Sequence, residues 1–432
     1  MKIYDCIGVG IGPFNLGLAS LLAGQDTVSS IFFDKEDSFE WHPGMLIEQS
    51  DLQVPFIADL VSFADPTSPY SFLNYLHKTN RLYAFYYYRR FDIPRREYNR
   101  YAKWVVNQLD NCHFGHSVVG LNYKKLEEEN VYEVIIKHTN SNEEKVYKAR
   151  HIVLGTGSVP FIPDSLRESI NKNVFHTSDY LTYEKELKQS NSILVVGSGQ
   201  SAAEIFYELL RDQTKYNYSI KWVTRAFNFL QIDSGKLSQE LFSPDYVNYF
   251  TALEYDTRRE ALENLHLLRN GVDPETLRKI YDLLYNRSVD GKDEKIMIQP
   301  LSEVKNIKEL DGEISVDCYQ WQAKKTFNLK VDKVILATGY KPEIPSWIWN
   351  QKDKIEWESE NEFKVDSNFR IKFKDNRDNH FYTLTNIEHS HGTGATNLSL
   401  SVMRNQLIIN DIAQKEIYPV QMNTIFQQFL PE

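Results

Sequence analysis

The fold of this chain is indicated by a stretch near its start, YDCIGVGIGP (residues 4–13), which runs into FNLGLASLL (residues 14–22). The pattern predicts a buried strand, a tight glycine turn and a helix that begins at about Pro13. Such a turn lets backbone amides approach a pyrophosphate, and the positive end of the helix points at the same anion. The glycines assigned to this turn are Gly8, Gly10 and Gly12. Pro13 stands where the strict GxGxxG spacing has its third glycine.

The next predicted strand, SIFFD (residues 30–34), ends in an acidic residue. Asp34 follows Gly12 by 22 residues, a placement that lets its carboxylate accept hydrogen bonds from an adenosine ribose. Lys35, which comes directly after it, is assigned to the same site. Strand, turn, helix and acid in this order predict a dinucleotide-binding site.

The pattern recurs in SILVVGSGQSAAE (residues 192–204), where Ala202 completes a GxGxxA spacing. The residues assigned to this second dinucleotide site are Gly197, Gly199, Gln200 and Ser201. The following strand, IKWVTR (residues 220–225), ends in Arg225, at the place where the first site has Asp34. A guanidinium binds a 2'-phosphate that a carboxylate would repel, so the second site is predicted to take NADPH. The alternative for Arg225 is a solvated residue at a strand end.

Two further apolar strands end in a Thr-Gly turn, HIVLGTG (residues 151–157) and KVILATGY (residues 333–340). In flavoproteins with two dinucleotide domains, such segments lie where the chain crosses between the domains, and we assign Thr338, Gly339 and Tyr340 to the cofactor sites. A second dinucleotide fold implies a second redox cofactor, for which FAD is the natural choice at the first site. The predicted fold class is α/β, with two dinucleotide-binding Rossmann-like domains and a small helical substrate-cleft region.

Composition excludes several classes of protein. The 432 residues, 42% of them hydrophobic, are enough for two or three packed domains. The net charge of -10 argues against nucleic acid as a partner. No stretch approaches the roughly 18 apolar residues of a membrane span, so we expect a soluble, cytoplasmic protein. The three cysteines lie far apart, and His389 and His391 lack a third ligand, so no disulfide framework and no metal site is predicted.

Several longer stretches are more specific than the glycine turns: WHPGM (41–45), LQVPFIADL (52–60), DPTSPYSFLNYL (65–76), HG (391–392) and NLS (397–399). With these, the chain resembles the N-hydroxylating flavoprotein monooxygenases of siderophore biosynthesis, the lysine and ornithine N-monooxygenase family, nearly from end to end. The resemblance implies that FAD and NADPH are the cofactors and that a small amine lies beside the flavin ring. Oxygen captured on reduced flavin would then be transferred to the amine nitrogen.

The resemblance also implies roles for individual residues. It places Gln53 near the flavin ring, Trp41 and His42 around the cofactor, and Ser399 in the substrate cleft. Asn270 matches, with a local slip of one residue, a family asparagine that touches both cofactor and substrate. Gln53, Asn270 and Ser399 are therefore the candidate catalytic residues.

Two departures from the family bear on the substrate. Members that act on amino acids have a lysine where this chain has Ala58, and that lysine pairs with the substrate carboxylate. A substrate-holding asparagine aligns with Gln239. A carboxylate in the cleft without a cation would lose several kcal/mol of compensation, so Ala58 favours a diamine such as putrescine or cadaverine. Lysine or ornithine stays possible if another cation has taken over this role, and histamine is possible for the same reason as the diamines.

Other enzyme classes fit less well. A disulfide reductase needs a cysteine pair beside the flavin, and none is present in the sequence. The fingerprint of Baeyer–Villiger-type monooxygenases would centre on His176, but Lys172 stands where it requires glycine. An NADPH-binding redox sensor is compatible with all the nucleotide motifs.

We expect an FAD domain made of residues 1–165 and 331–432, with an NADPH domain (166–330) inserted between the two pieces. Within the insert, a helical segment at about 236–300 is expected to wall the substrate cleft. The family resemblance implies a homo-oligomer. A primary amine with a pKa near 10.4 is protonated at pH 7, and making it neutral costs about 4 to 5 kcal/mol. The cleft must lower this cost by desolvation or by a nearby positive charge.

Overall fold

The computed structural model describes residues 2–125, 127, 129–289, 291, 295–310, 312–375 and 377–431. The strands, in chain order, are β1 (Ile3–Val9), β2 (Ser30–Phe33), β3 (Asp51–Pro55), β4 (Asp92–Pro94), β5 (Cys112–His113), β6 (His116–Lys125), β7 (Asn130–His138), β8 (Glu144–Leu154), β9 (Ser158–Pro160), β10 (Val174–His176), β11 (Ser192–Val196), β12 (Ser219–Val223), β13 (Ile296–Gln299), β14 (Ser302–Leu310), β15 (Glu313–Gln320), β16 (Lys325–Val331), β17 (Lys333–Leu336), β18 (Tyr340–Pro342), β19 (Trp357–Ser359), β20 (Glu362–Phe363) and β21 (Phe381–Thr383).

The helices are α1 (Pro13–Leu22), α2 (Phe72–Lys78), α3 (Leu82–Tyr88), α4 (Arg95–Val106), α5 (Tyr180–Leu187), α6 (Gln200–Tyr216), α7 (Lys236–Gln239), α8 (Pro244–Thr251), α9 (Tyr255–Asn264), α10 (Pro274–Ser288), α11 (Ser346–Trp349), α12 (Glu388–His391) and α13 (Leu398–Ala413). Among the described residues, none of these helices combines the length and apolar character that a membrane crossing requires.

The first sheet has the strand order β5-β2-β1-β8-β7-β6, and β21 also pairs with β8. β1 is parallel to both β2 and β8, with Gly8 level with Phe32 on one side and Val153 on the other. Because the carboxyl ends of parallel strands meet at one edge, the first glycine turn, Asp34 and Gly155 come together there. Helices α1 and α13 pack against each other beside this sheet.

The second sheet is entirely parallel, in the order β10-β17-β11-β12-β13. Side chains of the central strand, β11, point alternately to the two faces of the sheet. Ile193 and Val195 pack with α5 and α6, whereas Leu194 and Val196 pack against the antiparallel sheet β14-β15-β16. Both faces of the sheet are therefore covered, as parallel sheets require. A mixed sheet and a parallel sheet, with a glycine turn at the end of β1 and of β11, confirm the predicted α/β class.

Two boundaries of the predicted organisation differ from the structure. β17 pairs with β11 in the second sheet, although the sequence placed residues from 331 onward with the first domain. β13 forms the fifth strand of the same sheet, so the helical segment predicted to reach about residue 300 ends with α10. Both segments were assigned from local pattern, which does not reveal the pairing partner of a short strand. Residues 290 and 292–294 of the predicted helical segment lie outside the described residues.

The chain passes between the two sheets through a two-stranded ribbon of β9 and β18. The Thr-Gly turns lie at its ends: Thr156 Oγ1 donates to the Glu343 carbonyl (2.7 Å) and Thr338 Oγ1 donates to the Phe161 carbonyl (2.5 Å). These two segments thus join the sheets, as the sequence predicted for crossing points.

Helices α8 to α10 bridge the two halves of the molecule. α8 and α9 contact α12 beside the first sheet, and α10 packs on α6 of the second. Arg258 of α9 reaches the Glu358 carboxylate at 2.6 Å.

Candidate active site

The first glycine turn has the backbone geometry that its sequence predicted. Gly10 has a φ of +85°, and a Cβ built there would lie 2.5 Å from the Gly155 carbonyl oxygen. Gly12 is the N-cap of α1, no side chain caps the helix, and a Cβ at Gly12 would meet open space. The first-turn amides of α1 thus face a free volume, which is the arrangement that binds a phosphate. Gly8 differs in role, because it lies within β1 and makes room for the Phe32 ring.

Asp34 stabilises this turn. Its Oδ2 accepts a hydrogen bond from the Ile11 amide at 2.6 Å, and its Oδ1 accepts one from the Glu36 amide at 2.9 Å. A carboxylate oxygen has a second lone pair, so Asp34 can still accept from a ribose hydroxyl. The next residue, Lys35, lies 3.4 Å from the Glu343 carboxylate.

A cavity of about 1080 Å³ begins at this turn. Eight predicted cofactor residues line it: Gly10, Gly12, Pro13, Asp34, Lys35, Trp41, His42 and Tyr340. Its size, the uncapped helix start and the acid at the ribose position fit an adenine dinucleotide. By that assignment the adenosine lies on the Asp34 side, and the far side is left for a second ring system.

The far side is walled by aromatic rings in contact. The His42 ring lies 5.2 Å from Trp41 and 5.4 Å from Tyr340, and Tyr340 lies 5.0 Å from His176. Burial, together with the nearby Arg95 charge, lowers the pKa of His42 to about 4, so its ring is neutral at pH 7. His176 Nε2 donates to the Gly339 carbonyl and Nδ1 accepts from the Ser178 amide, which fixes its tautomer.

The opposite wall comes from α9, the turn after it, and the segment before α13. Arg259 pairs with Glu362 at 3.0 Å, and Arg269 forms an ion pair with Glu388. All four side chains line the cavity. The α9 part of the helical segment thus lines this cavity, and its place at a substrate cleft stays a prediction.

The second glycine turn repeats the geometry of the first. Gly197 has a φ of +137°, and a Cβ there would lie 2.3 Å from the Ala337 carbonyl oxygen. Gly199 caps α6 without a side-chain cap and faces open space. α6 then opens with Gln200 and Ser201. Gln200 is already engaged, because its Oε1 accepts from the Asp273 amide at 2.8 Å.

Arg225 lies at the same edge of the second sheet. It follows β12 by two residues, and the Gly197 amide donates to the Val223 carbonyl at the end of that strand. The side chain is exposed, and no carboxylate among the described residues pairs with it. A free guanidinium beside an uncapped helix start fits a 2'-phosphorylated dinucleotide.

The five residues predicted for catalysis or substrate contact do not line the cavity. Gln53 is exposed with a φ of +61°, and Gln239 is exposed with its amide nitrogen 3.1 Å from the Asp233 carbonyl. Ala58 is 2% exposed. Asn270 and Ser399 each adjoin a lining residue, Arg269 and Leu398 respectively. Their roles at the site remain predictions.

The two sheets are held together beside the cavity. Gly44 packs against Ser178 so closely that a Cβ on Gly44 would lie 1.7 Å from the Ser178 carbonyl oxygen. Arg95 of α4 forms a two-pronged ion pair with Glu204 of α6, with N–O distances of 3.1 and 3.0 Å, and both side chains are largely buried. These contacts fix the first glycine turn relative to the second.

Comparison with known proteins places the chain in a family. The sequence profile described as L-lysine 6-monooxygenase/L-ornithine 5-monooxygenase matches residues 2–342. The chain belongs to this family. The enzyme class predicted from the resemblance, an N-hydroxylating monooxygenase, is therefore confirmed.

Three relatives illustrate the range of the family. The putrescine N-hydroxylase of Acinetobacter baumannii is 38% identical over 99% of this chain and 94% of its own length. The cadaverine monooxygenase of the desferrioxamine pathway of Erwinia amylovora, solved with bound FAD, has a TM-score of 0.94 at 34% identity and covers 100% of this chain and 99% of its own. The ornithine N-hydroxylase of Kutzneria sp. 744, solved with reduced FAD, NADP+ and L-ornithine, has a TM-score of 0.89 at 26% identity and covers 96% and 99%.

Sequence analysis did not identify several charged residues that line the cavity. Arg259, Arg269, Glu362 and Glu388 line the cavity, but they come from three separate parts of the chain. Of these four residues, only Glu388 lies near one of the family stretches, the HG pair at residues 391–392. Charged residues on an amphipathic helix give no sign of which neighbour they will meet.

The cysteines carry no sign of redox chemistry. Cys6 and Cys318 are buried, and none of the three cysteines forms a disulfide. Burial raises the pKa of the Cys112 and Cys318 thiols to about 12, so neither is a thiolate at pH 7. A disulfide reductase would need an accessible thiolate beside its flavin.

Proposed function

We propose that this chain hydroxylates one nitrogen of a linear diamine, such as putrescine or cadaverine, with FAD, NADPH and O2. The product would serve hydroxamate siderophore biosynthesis. Lysine, ornithine and histamine are the alternative substrates against which this proposal is tested.

The observation that carries the proposal is the charge balance of the cavity wall. Six carboxylates and four cationic side chains line the cavity. Both arginines among these cations already pair with a glutamate, and Lys35 lies beside Glu343. The fourth cation, Lys341, is exposed at the ribbon between the sheets.

A substrate carboxylate would therefore meet arginines that are already paired with glutamates. Taking a carboxylate out of water without a free cation costs several kcal/mol. The second ammonium of a diamine needs no such cation. Ala58 supports the same choice, because the buried position 58 supplies no charge.

The relatives support the substrate class. The putrescine N-hydroxylase of Acinetobacter baumannii matches this chain over almost its full length, and the cadaverine monooxygenase of Erwinia amylovora matches in fold throughout. The ornithine enzyme of Kutzneria sp. 744 is less similar in sequence.

The cofactor roles follow from the two glycine turns. The uncapped starts of α1 and α6 would hold the pyrophosphates of FAD and NADPH, with Asp34 at the FAD ribose and Arg225 at the 2'-phosphate of NADPH. FAD supplies the oxygen-activating chemistry when it is bound. The protein positions the amine, excludes water and keeps the amine neutral by desolvation.

The deciding experiment measures hydroxylamine formation and NADPH oxidation by the FAD-loaded enzyme with putrescine, cadaverine, histamine, lysine and ornithine. We expect kcat/KM for a diamine to exceed that for either amino acid at least tenfold, about 1.4 kcal/mol. A preference for lysine or ornithine would refute the diamine proposal. NADPH oxidation without any amine-dependent product would favour the redox-sensor alternative.

Substitution at position 58 tests its predicted place in the cleft. Ala58→Lys is expected to raise KM for putrescine about tenfold, because the new ammonium repels the second ammonium of the substrate. Ala58→Met is the control for side-chain size at this buried position. Equal losses in both variants, with FAD content unchanged, would mean that charge at position 58 does not select the substrate.

A further inference from the structure

One buried cation lies behind the cavity wall without a counter-ion. Arg404 of α13 is 1% exposed, and its Nη1 donates to the Leu384 and Ala395 carbonyls at 3.3 and 2.7 Å. Its Nε and Nη2 have no hydrogen-bond partner within the described chain, and no carboxylate among the described residues pairs with it. Buried guanidinium groups without a paired anion are rare, because the charge is costly to desolvate.

The charged surroundings do not supply this missing anion. On α12, His391 is fully buried, and burial followed by the Arg404 charge lowers its pKa well below 6.5. His389 of the same helix is also buried, and its pKa is lowered by burial. Arg258 of α9 is already matched by Glu358. None of these groups therefore supplies a free anion for Arg404.

The guanidinium lies behind residues that line the cavity. It lies 4.3 Å from the centroid of the Phe14 ring, and Phe14 lines the cavity. The two carbonyls that it binds belong to the residues next to Thr385 and Thr396, which also line the cavity. With adenosine assigned to the Asp34 side, this wall is available to the flavin ring.

We propose that Arg404 is a positioning residue that stabilises the negative charge acquired by the flavin ring on reduction. This inference rests on the proposed function. NADPH passes an electron pair and one proton to neutral oxidised flavin, which becomes a monoanion, while NADPH becomes NADP+. No second proton is needed if a fixed cation stabilises the anion. A cation held by Phe14 and two carbonyls is fixed in place before the reaction.

The test is the midpoint potential of FAD bound to the full-length protein, measured by dye equilibration. Arg404→Gln and Arg404→Met should each shift the two-electron equilibrium at least tenfold toward oxidised flavin, which is about 30 mV. Arg404→Lys keeps the charge and should retain most of the potential. Arg377→Met is the matched control, because Arg377 is another buried arginine that packs on Phe373 and pairs with Asp375.

Two results would overturn the inference. The first is an unchanged potential in Arg404→Gln and Arg404→Met proteins that still bind FAD. The second is an equal fall of the midpoint potential in Arg404→Lys and Arg404→Gln, which would assign the effect to the guanidinium hydrogen bonds instead of the charge. Failure of the proposed function looks different, because the unmodified protein would then bind no FAD or hydroxylate no amine.

Discussion

Replacing Gly44 with alanine should push the two nucleotide sites apart without removing any functional group. A Cβ on Gly44 would lie 1.7 Å from the Ser178 carbonyl oxygen, 2.4 Å from the Ser178 carbonyl carbon and 3.1 Å from the Asp179 amide. Real Cβ atoms do not come within 3.0 Å of such atoms. The two backbones must therefore move apart by about 1.3 Å, the difference between 3.0 and 1.7 Å.

This displacement acts where electron transfer needs alignment. The Gly44 turn follows Trp41 and His42 at the cavity, and Ser178 precedes α5 on the second sheet. A misplacement of about 1 Å between reacting groups can cost about 100-fold in rate. Overpacking of this kind costs about 1 to 3 kcal/mol in stability, which a protein of this size should survive.

The assay is stopped-flow reduction of bound FAD by NADPH, with FAD content and thermal unfolding measured on the same samples. We expect Gly44→Ala to bind FAD within about twofold of the unmodified protein and to reduce it between 10-fold and 100-fold more slowly. Gly235→Ala is the matched control, since Gly235 is exposed and its nearest neighbour is the flexible Asp233 side chain. A folded Gly44→Ala protein with a normal reduction rate would refute the argument.

Three further outcomes are expected. Arg225→Glu should raise KM for NADPH at least tenfold and leave KM for NADH nearly unchanged, measured by steady-state oxidation of each; equal effects on both would remove the 2'-phosphate role. Arg95→Met should destabilise the protein by about 3 kcal/mol in denaturant unfolding, and adding Glu204→Leu should recover most of that loss, because the pair is buried; no recovery in the double variant would contradict this. Because the pKa of His42 is lowered to about 4, the free energy of unfolding should fall by up to about 3 kcal/mol as the pH falls from 6.5 to 4. The unfolded chain binds a proton in that range and the native chain does not, so His42→Gln should flatten this part of the stability profile; an unchanged profile would mean that His42 does not titrate as described.

The sequence predicted well those features that depend on a few neighbouring residues. A strand, a glycine turn and an uncapped helix start follow from local backbone requirements, and both turns have the predicted geometry at Gly10 and Gly197. The Thr-Gly segments were also placed at the crossings between sheets. The longer stretches gave the family, because so many residue types in fixed order are rarely met by chance.

Features that depend on which elements pack together were beyond the sequence. The pairing of β17 and β13 with the second sheet moved two predicted boundaries. Gln53 and Ala58 were assigned by resemblance, and neither lines the cavity. The ion pair of Arg259 with Glu362 joins residues 103 positions apart, for which no local pattern exists.

The amino-acid sequence by itself therefore determined the α/β class, the two dinucleotide turns and the enzyme family, because short segments are enough to set backbone conformation and hydrophobic periodicity. Tertiary structure alone decided how the two turns are held together and how charge is distributed around the cavity. The Gly44 contact, the Arg95 pair and the isolated Arg404 cation each depend on distant segments packing at close range. Their energies come from burial and distance, which a single sequence does not specify.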